Sequence, residues 1–351
     1  MKSRRLHLHI GRAKVGSTAL QHFLWSNREL LAQRGVLYPE TPVLHSASHK
    51  LALVFQPELS DHRHVRETTA EQVYAATFEE ADRRGIHHII ASSENLFTVD
   101  PRQVAAHLPS QWDRKIVCYV RRQDEVLLSS YVQELKTGLI AGDTDIEEYA
   151  RHPLRLRWLD YSRVLKAWAA VFGSENIVVR VFEPEQLHKS SIFEDFLSVA
   201  GIDTSGMAPA PHRLNPSPAR DVLDFIKIIN ANPDIGKNQK RVLQVALTRL
   251  SESLGAEGRF APSTLISPAL RQQLIDQFRE SNGAVAREFL NRPDGVLFRN
   301  ERVDPQSADR PYAGMELERF AHMVALLFST QHQRIASLQL QIDELKRLME
   351  K

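Results

Sequence analysis

An apolar alternating run, Leu6-His7-Leu8-His9-Ile10, ends in a glycine-bounded stretch, Gly11-Arg12-Ala13-Lys14-Val15-Gly16, which opens directly into Ser17-Thr18-Ala19-Leu20. Strand, tight loop and helix start follow one another without a spare residue, and few folds accommodate that succession. Alternation places the first segment in a sheet. Glycines at both ends of the loop permit backbone conformations that other residues avoid. The arrangement is an anion cradle: backbone N–H groups at a helix N-terminus, a lysine beside them, and hydroxyls as further donors. Gly11, Gly16 and Thr18 have the spacing of the mononucleotide pattern G-x-x-x-x-G-K-[ST]. The match fails at the lysine, where Ser17 stands, and the cation sits three positions earlier at Lys14. The expectation is a phosphate loop built for something other than ATP with magnesium.

A second segment carries matching chemistry. Ile116–Val120 is apolar and β-branched and reads as a buried parallel strand. Arg121 and Arg122 stand at its carboxyl end, and Val126, Leu127 and Tyr131 begin a helical apolar face. In doubly wound sheets ligands sit beyond the carboxyl ends of the strands. An arginine fork and the Ser129 hydroxyl can there hold one phosphate between them. Taken alone, the same residues also read as two surface arginines capping a strand.

Lys14-Val15-Gly16-Ser17-Thr18 resembles the K-x-G-[ST]-[ST] loop of sulfotransferases, which use 3′-phosphoadenosine 5′-phosphosulfate (PAPS). The spacing from Arg121 to Ser129, followed by Tyr131, is similar to that family's 3′-phosphate motif, with Gln123 where the family has proline. Asn27-Arg28-Glu29-Leu30-Leu31 and Gly35-Val36-Leu37-Tyr38-Pro39 resemble a pattern recurring in its bacterial group. A further unit, the strand from Ile177 to Val181 with Glu183 and an amphipathic run to Gly201, looks like the family's sheet-plus-helix element and carries no chemistry of its own. The resemblance implies a P-loop-like three-layer α/β sandwich with a central parallel sheet and a helical C-terminal region. It implies transfer of a sulfuryl group from PAPS to an acceptor hydroxyl, on a saccharide or other small hydroxylated molecule, with no metal. Lys14 is then the catalytic lysine, and the amides of Val15, Gly16, Ser17 and Thr18 hold the 5′-phosphate. Arg121 and Ser129 contact the 3′-phosphate, and Arg12, where relatives often have proline, either adds a further cation or faces solvent.

The acceptor hydroxyl needs a base. Glu94, just past the strand His88–Ser92, is the first candidate, and His49, with His45, is the alternative. His7 and His9 alternate on the first strand, one expected to face the core with a hydrogen bond and the other the opposite layer. Two other functions stay open at this level: a P-loop nucleotide kinase or NTPase, against which the displaced lysine speaks, and a non-catalytic scaffold keeping the fold. The retained Lys14, Arg121 and Ser129 speak against the scaffold.

The formal charge of +2 over 351 residues gives no case for a nucleic-acid surface. Cys118, the single cysteine, lies in a predicted strand and cannot form an internal disulfide, which fits a reducing compartment. The first residues are too polar for a signal-peptide core, and no apolar stretch approaches the ~20 residues of a membrane span. The expected location is cytoplasmic.

Strands are expected at Leu6–Ile10, His88–Ser92, Ile116–Val120 and Ile177–Val181, and a first helix from Ser17 to Gln33 ending at Gly35. An irregular stretch from Gly35, a loop from Thr137 to Thr144 and a proline-rich linker from Met207 to Pro218 follow. The α/β domain is expected over residues 1–300, mainly helical from 219 to 290, with breaks at Asn232-Pro233 and at Gly255 to Pro262. An irregular linker covers 301–314 and an amphipathic helix 315–351. In that helix Phe328, Ile335, Ile342 and Met349, with Leu338 and Leu345 between them, form a short heptad seam interrupted at Gln331. It suggests a coiled coil joining copies of the chain, with a plain surface helix as the alternative.

Overall fold

A computed structural model of the chain describes residues 3–59, 63–209, 218–254, 265–300, 314 and 316–349. Five strands, β1 (Arg4–Gly11), β2 (Val36–Leu37), β3 (His88–Ser92), β4 (Trp112–Val120) and β5 (Ile177–Val181), form one sheet in the order β2-β3-β1-β4-β5. Every pairing is parallel. Parallel neighbours need a crossover, usually helical, to bring the chain back. Here α1 (Ser17–Ser26) and α2 (Arg28–Gln33) follow β1, α3 (Ala70–Arg83) precedes β3, and α4 (Gln123–Thr137) and α5 (Tyr161–Phe172) lie between β4 and β5. Helix α6 (Ile192–Ala200) follows β5. The fold class is the α/β sheet that the sequence predicts.

The strands sort their side chains with period two. Leu6, Leu8, Ile10, Ile116, Cys118 and Val120 enter one buried cluster, with residues of α3 and α5. Ile90, Val117 and Tyr119 enter the other, with Val15 and residues of α1 and α6. Burial on both faces is why β4 reads as an unbroken apolar run. The second face of β1 is different, because it carries both His7 and His9. This corrects the expectation that they part to opposite layers: residues two apart in a strand point the same way. His7 Nδ1 lies 2.9 Å from His88 Nε2, and His9 Nδ1 lies 2.7 Å from Ser92 Oγ. On the same face Asp195 of α6 is fully buried. Burial pushes its carboxyl up, but Arg180, the Tyr119 hydroxyl and the His188 amide outweigh that and hold it below its usual range.

Three local expectations change. The helix from Ser17 breaks at Asn27, whose side chain donates to the Phe23 carbonyl at 2.9 Å and accepts from the Ala208 amide at 2.7 Å. Val36–Leu37, read as irregular, adds a short parallel strand beside His88 and Ile89. Two residues are too few to show a period. Strands β1 and β4 also extend backwards through polar residues, Arg4 and Trp112–Lys115, which an apolar pattern does not register.

Helices α7 (Arg220–Ala231), α8 (Lys237–Leu254), α9 (Pro268–Leu290) and α10 (Leu317–Met349) complete the described chain. The Asn232-Pro233 break falls between α7 and α8. The expected break at 255–262, residues 210–217 of the proline-rich linker and 301–313 of the later one lie outside the described residues. The chain divides into two compact units: residues 1–126, 151–215 and 272–302, which hold the sheet, and residues 127–150, 216–271 and 303–351. In the second unit Val222, Ile226, Leu247 and Met323 form a small core, and Arg319 pairs with the buried Asp221. Further along α10 the seam residues are open, Phe328 at 73%, Ile335 at 64% and Leu345 at 60% exposure. Among the described residues no helix is long and apolar enough to cross a membrane.

The histidines on the sheet give the fold a defined acid response. His7, His9 and His88 are each pushed down to about 4, chiefly by burial. Folded values below the unfolded value of 6.5 mean that the unfolded chain takes up these protons first as pH falls. Stability from this source is full above about pH 6.5 and is lost toward pH 4. At pH 5 the fully buried His9 alone costs about 2 kcal/mol. Calorimetry is expected to find Tm at pH 5 lower than at pH 7.5 by ~5 °C or more; a flat Tm would mean these rings protonate without cost.

Candidate active site

The strand order fixes where a ligand can sit. From β1 the chain first builds outward to β2 and β3, then crosses to β4 and β5 on the other side. The carboxyl ends of β1 and β4 therefore flank the topological switch point, where open α/β sheets leave a crevice. Both sequence motifs begin there, the loop at the end of β1 and Arg121 at the end of β4.

Gly11, Lys14 and Gly16 all have left-handed backbones, with φ of 80°, 73° and 82°. For Lys14 that conformation costs about 1–2 kcal/mol. Its carbonyl accepts from Arg121 Nη1 at 3.1 Å, so the strained turn is braced from β4. Gly16 is the N-cap of α1 and supplies no side-chain cap to the first amides. A Cβ there would stand 3.1 Å from the Phe182 ring and 3.2 Å from Ile192. Val15 is buried and anchors the loop, Ser17 is buried with its hydroxyl donating to the Arg12 carbonyl at 3.4 Å, and Thr18 is exposed. Arg12 is half-buried, its guanidinium 5.5 Å from the Phe97 ring centre. Beneath the loop the Cys118 thiol donates to the Gly11 carbonyl at 2.9 Å, and burial pushes the thiol up.

Glu94 belongs to the same place. A Cβ on Gly11 would lie 2.5 Å from both Cα and Cβ of Glu94, so the turn after β3 rests against the loop. Glu94 Oε2 accepts from Gln21 Nε2 at 2.5 Å. Gln21 is buried on α1, four residues after Ser17, and sequence reasoning passed it over. Its only signal was helical spacing, one turn beyond the loop's hydroxyls. His49, the alternative base, is held beside the same turn, its Nδ1 3.0 Å from Ser93 Oγ and 3.4 Å from Asn95 Nδ2. Burial lowers its pKa, against an opposing pull from Glu94. The two candidates thus meet at one turn.

The arginine pair divides. Arg121 joins the loop, its Nε donating to Glu125 at 2.6 Å and its carbonyl accepting from Tyr161 at 2.5 Å. Arg122 forks onto the buried Asp124 at 2.7 and 2.9 Å and donates to the Asn300 carbonyl. Gln123, where the resembled motif has proline, is buried and exchanges hydrogen bonds with Asn282 at 2.6 and 3.2 Å. It is a packing anchor. Ser129 is half-buried on α4, in the second unit.

No protein-family model matches the chain. An uncharacterised protein of Archaeoglobus fulgidus is 25% identical over 190 residues, 54% of this chain and 50% of that protein, so the chain spans about half the length of this curated relative. Among solved structures, a sulfotransferase from Alicyclobacillus acidocaldarius aligns over 68% of this chain and 96% of its own, at 18% identity and a TM-score of 0.42.

Two glycines separate strain from contact at this site. Gly11 and Gly35 share a left-handed φ, near 80°, but a Cβ on Gly35 meets nothing within 4 Å. Gly35→Ala is expected to cost only the conformational penalty, about 1 kcal/mol. Gly11→Ala adds a clash with main chain and is expected to cost about 3 kcal/mol or more. Urea unfolding of both variants checks the difference; equal losses would mean that the turn at Glu94 yields.

Proposed function

We propose that the chain transfers a sulfuryl group from PAPS to an acceptor hydroxyl of a saccharide or other small hydroxylated molecule. The observation that carries this reading is the bond from Arg121 to the Lys14 carbonyl, which joins two phosphate-binding motifs distant in sequence at the sheet's switch point. In this reading the amides of Val15, Gly16, Ser17 and Thr18 hold the 5′-phosphate, and Arg12 adds positive charge. Lys14 offsets charge on the bridging oxygen as its bond to sulfur breaks. Arg121 holds the 3′-phosphate, which sets PAPS apart from ATP. Glu94 takes the acceptor proton as the new O–S bond forms. The hydrogen bond from Gln21 of α1 to one oxygen of the half-buried carboxylate, beside the loop, supports the assignment. The scheme needs no metal, and a cytoplasmic location, expected from the lone cysteine, is where a PAPS-using enzyme would meet its donor.

Ser17 in the position of the P-loop lysine argues against the kinase reading. Thermal unfolding with added nucleotides tests the two, since a ligand that binds only the folded state raises Tm. A shift with 3′-phosphoadenosine 5′-phosphate, absent with AMP and lost in Arg121→Ala, is expected; a shift with ATP and Mg²⁺ instead would give the kinase reading the lead. Lys14→Ala and Glu94→Gln are expected to lower turnover by 10²-fold or more while leaving folding intact. Full activity in either would remove that residue from the mechanism.

Self-association through α10 is proposed on the seam described above. Truncation before Gln331 is expected to lower the sedimenting mass, and an unchanged profile would make α10 a lone surface helix.

A further inference from the structure

The turn that carries Glu94 and the His49 ring held beside it present two half-satisfied groups. Glu94 Oε2 is taken by Gln21, whereas Oε1 accepts no hydrogen bond from the described residues. His49 has the complementary arrangement. Its Nδ1 faces the Ser93 hydroxyl at 3.0 Å and the Asn95 amide nitrogen at 3.4 Å. The Asn95 amide is oriented with its nitrogen toward Nδ1, and in that arrangement the amide donates and Nδ1 accepts. A neutral ring with an accepting Nδ1 carries its proton on Nε2. That Nε2 makes no hydrogen bond among the described residues, and His49 is half-buried. His9 differs: its Nε2 is sealed in the core.

We propose that His49 and Glu94 form a hydroxyl-recognition pair, in which His49 donates its Nε2 hydrogen to the acceptor oxygen and Glu94 Oε1 takes the proton from that oxygen. His49 is then not the base, because its open nitrogen already bears a hydrogen. A hydroxyl satisfies both groups with one atom, as acceptor toward His49 and donor toward Glu94. A protonated amine cannot, having no lone pair for His49, so the pair selects alcohols over ammonium groups. This deepens the sulfuryl-transfer reading and rests on it. Water serves as the simplest acceptor: its proton goes to Glu94 as its oxygen bonds to sulfur, the bridging S–O bond breaks, and sulfate and 3′-phosphoadenosine 5′-phosphate leave.

Two measurements on the full chain test the pair. Nitrogen-15 NMR of the His49 ring at pH 7.5, assigned by its loss in His49→Gln, is expected to show the neutral form protonated on Nε2. A ring protonated on Nδ1, or on both nitrogens, overturns the proposal whatever the enzyme does. Acceptor-free hydrolysis of PAPS supplies the second readout. His49→Gln keeps a donor but no titratable base and is expected to lose about threefold, against about thirtyfold for His49→Ala, the scale of one or two hydrogen bonds. Equal losses of 10²-fold or more in both would make His49 the base instead. The nucleotide thermal shift on the same samples separates the readings: its absence sinks sulfuryl transfer, while the ring's protonation still decides the role of His49.

Discussion

The close approach of Gly11 to Glu94 is the constraint on which the site depends. Only a residue without a side chain lets the turn after β3 rest on the first residue of the loop after β1. From that contact the rest follows. Glu94 comes within reach of Gln21 on α1, and α1 is the helix whose N-terminus the loop forms. Loop and carboxylate are therefore parts of one corner. A shift of the helix would move both, which suits the proposed transfer, whose two reacting oxygens must stay in line.

The second brace comes from β4. Lys14 holds a backbone conformation that a lysine adopts only when the surroundings over-determine it. The Arg121 fork supplies that, bonded at once to the Lys14 carbonyl and to Glu125. Arg121 is thereby oriented before any ligand arrives, and the flexible fork loses little further freedom on binding. Arg122, one residue on, is committed to the buried Asp124 and also reaches Glu125 at 3.6 Å.

What the sequence made legible was what repeats or punctuates: the strands of β3 and β5, the glycines of the loop, the cation displaced to Lys14. Gln21 was not legible because a glutamine on a helix has no distinguishing pattern; only the Glu94 carboxylate opposite it reveals a role. The chemistry of His49 and Glu94 is legible one residue at a time, whereas only the fold makes the two neighbours. His7 and His9 share a face by a rule the sequence itself contains, the two-residue period of a strand. The edge strand Val36–Leu37 escaped because its pairing partner, not its own pattern, makes it a strand.

The histidines on β1 also show why polar residues can persist so deep in this sheet. His9 is fully buried yet satisfied on one nitrogen by Ser92, and it lies near enough to Glu94 to feel its charge. Burial outweighs that attraction and keeps the ring neutral. The desolvation that makes β1 sensitive to acid is thus the same effect that keeps a further positive charge out of the sheet beside Glu94.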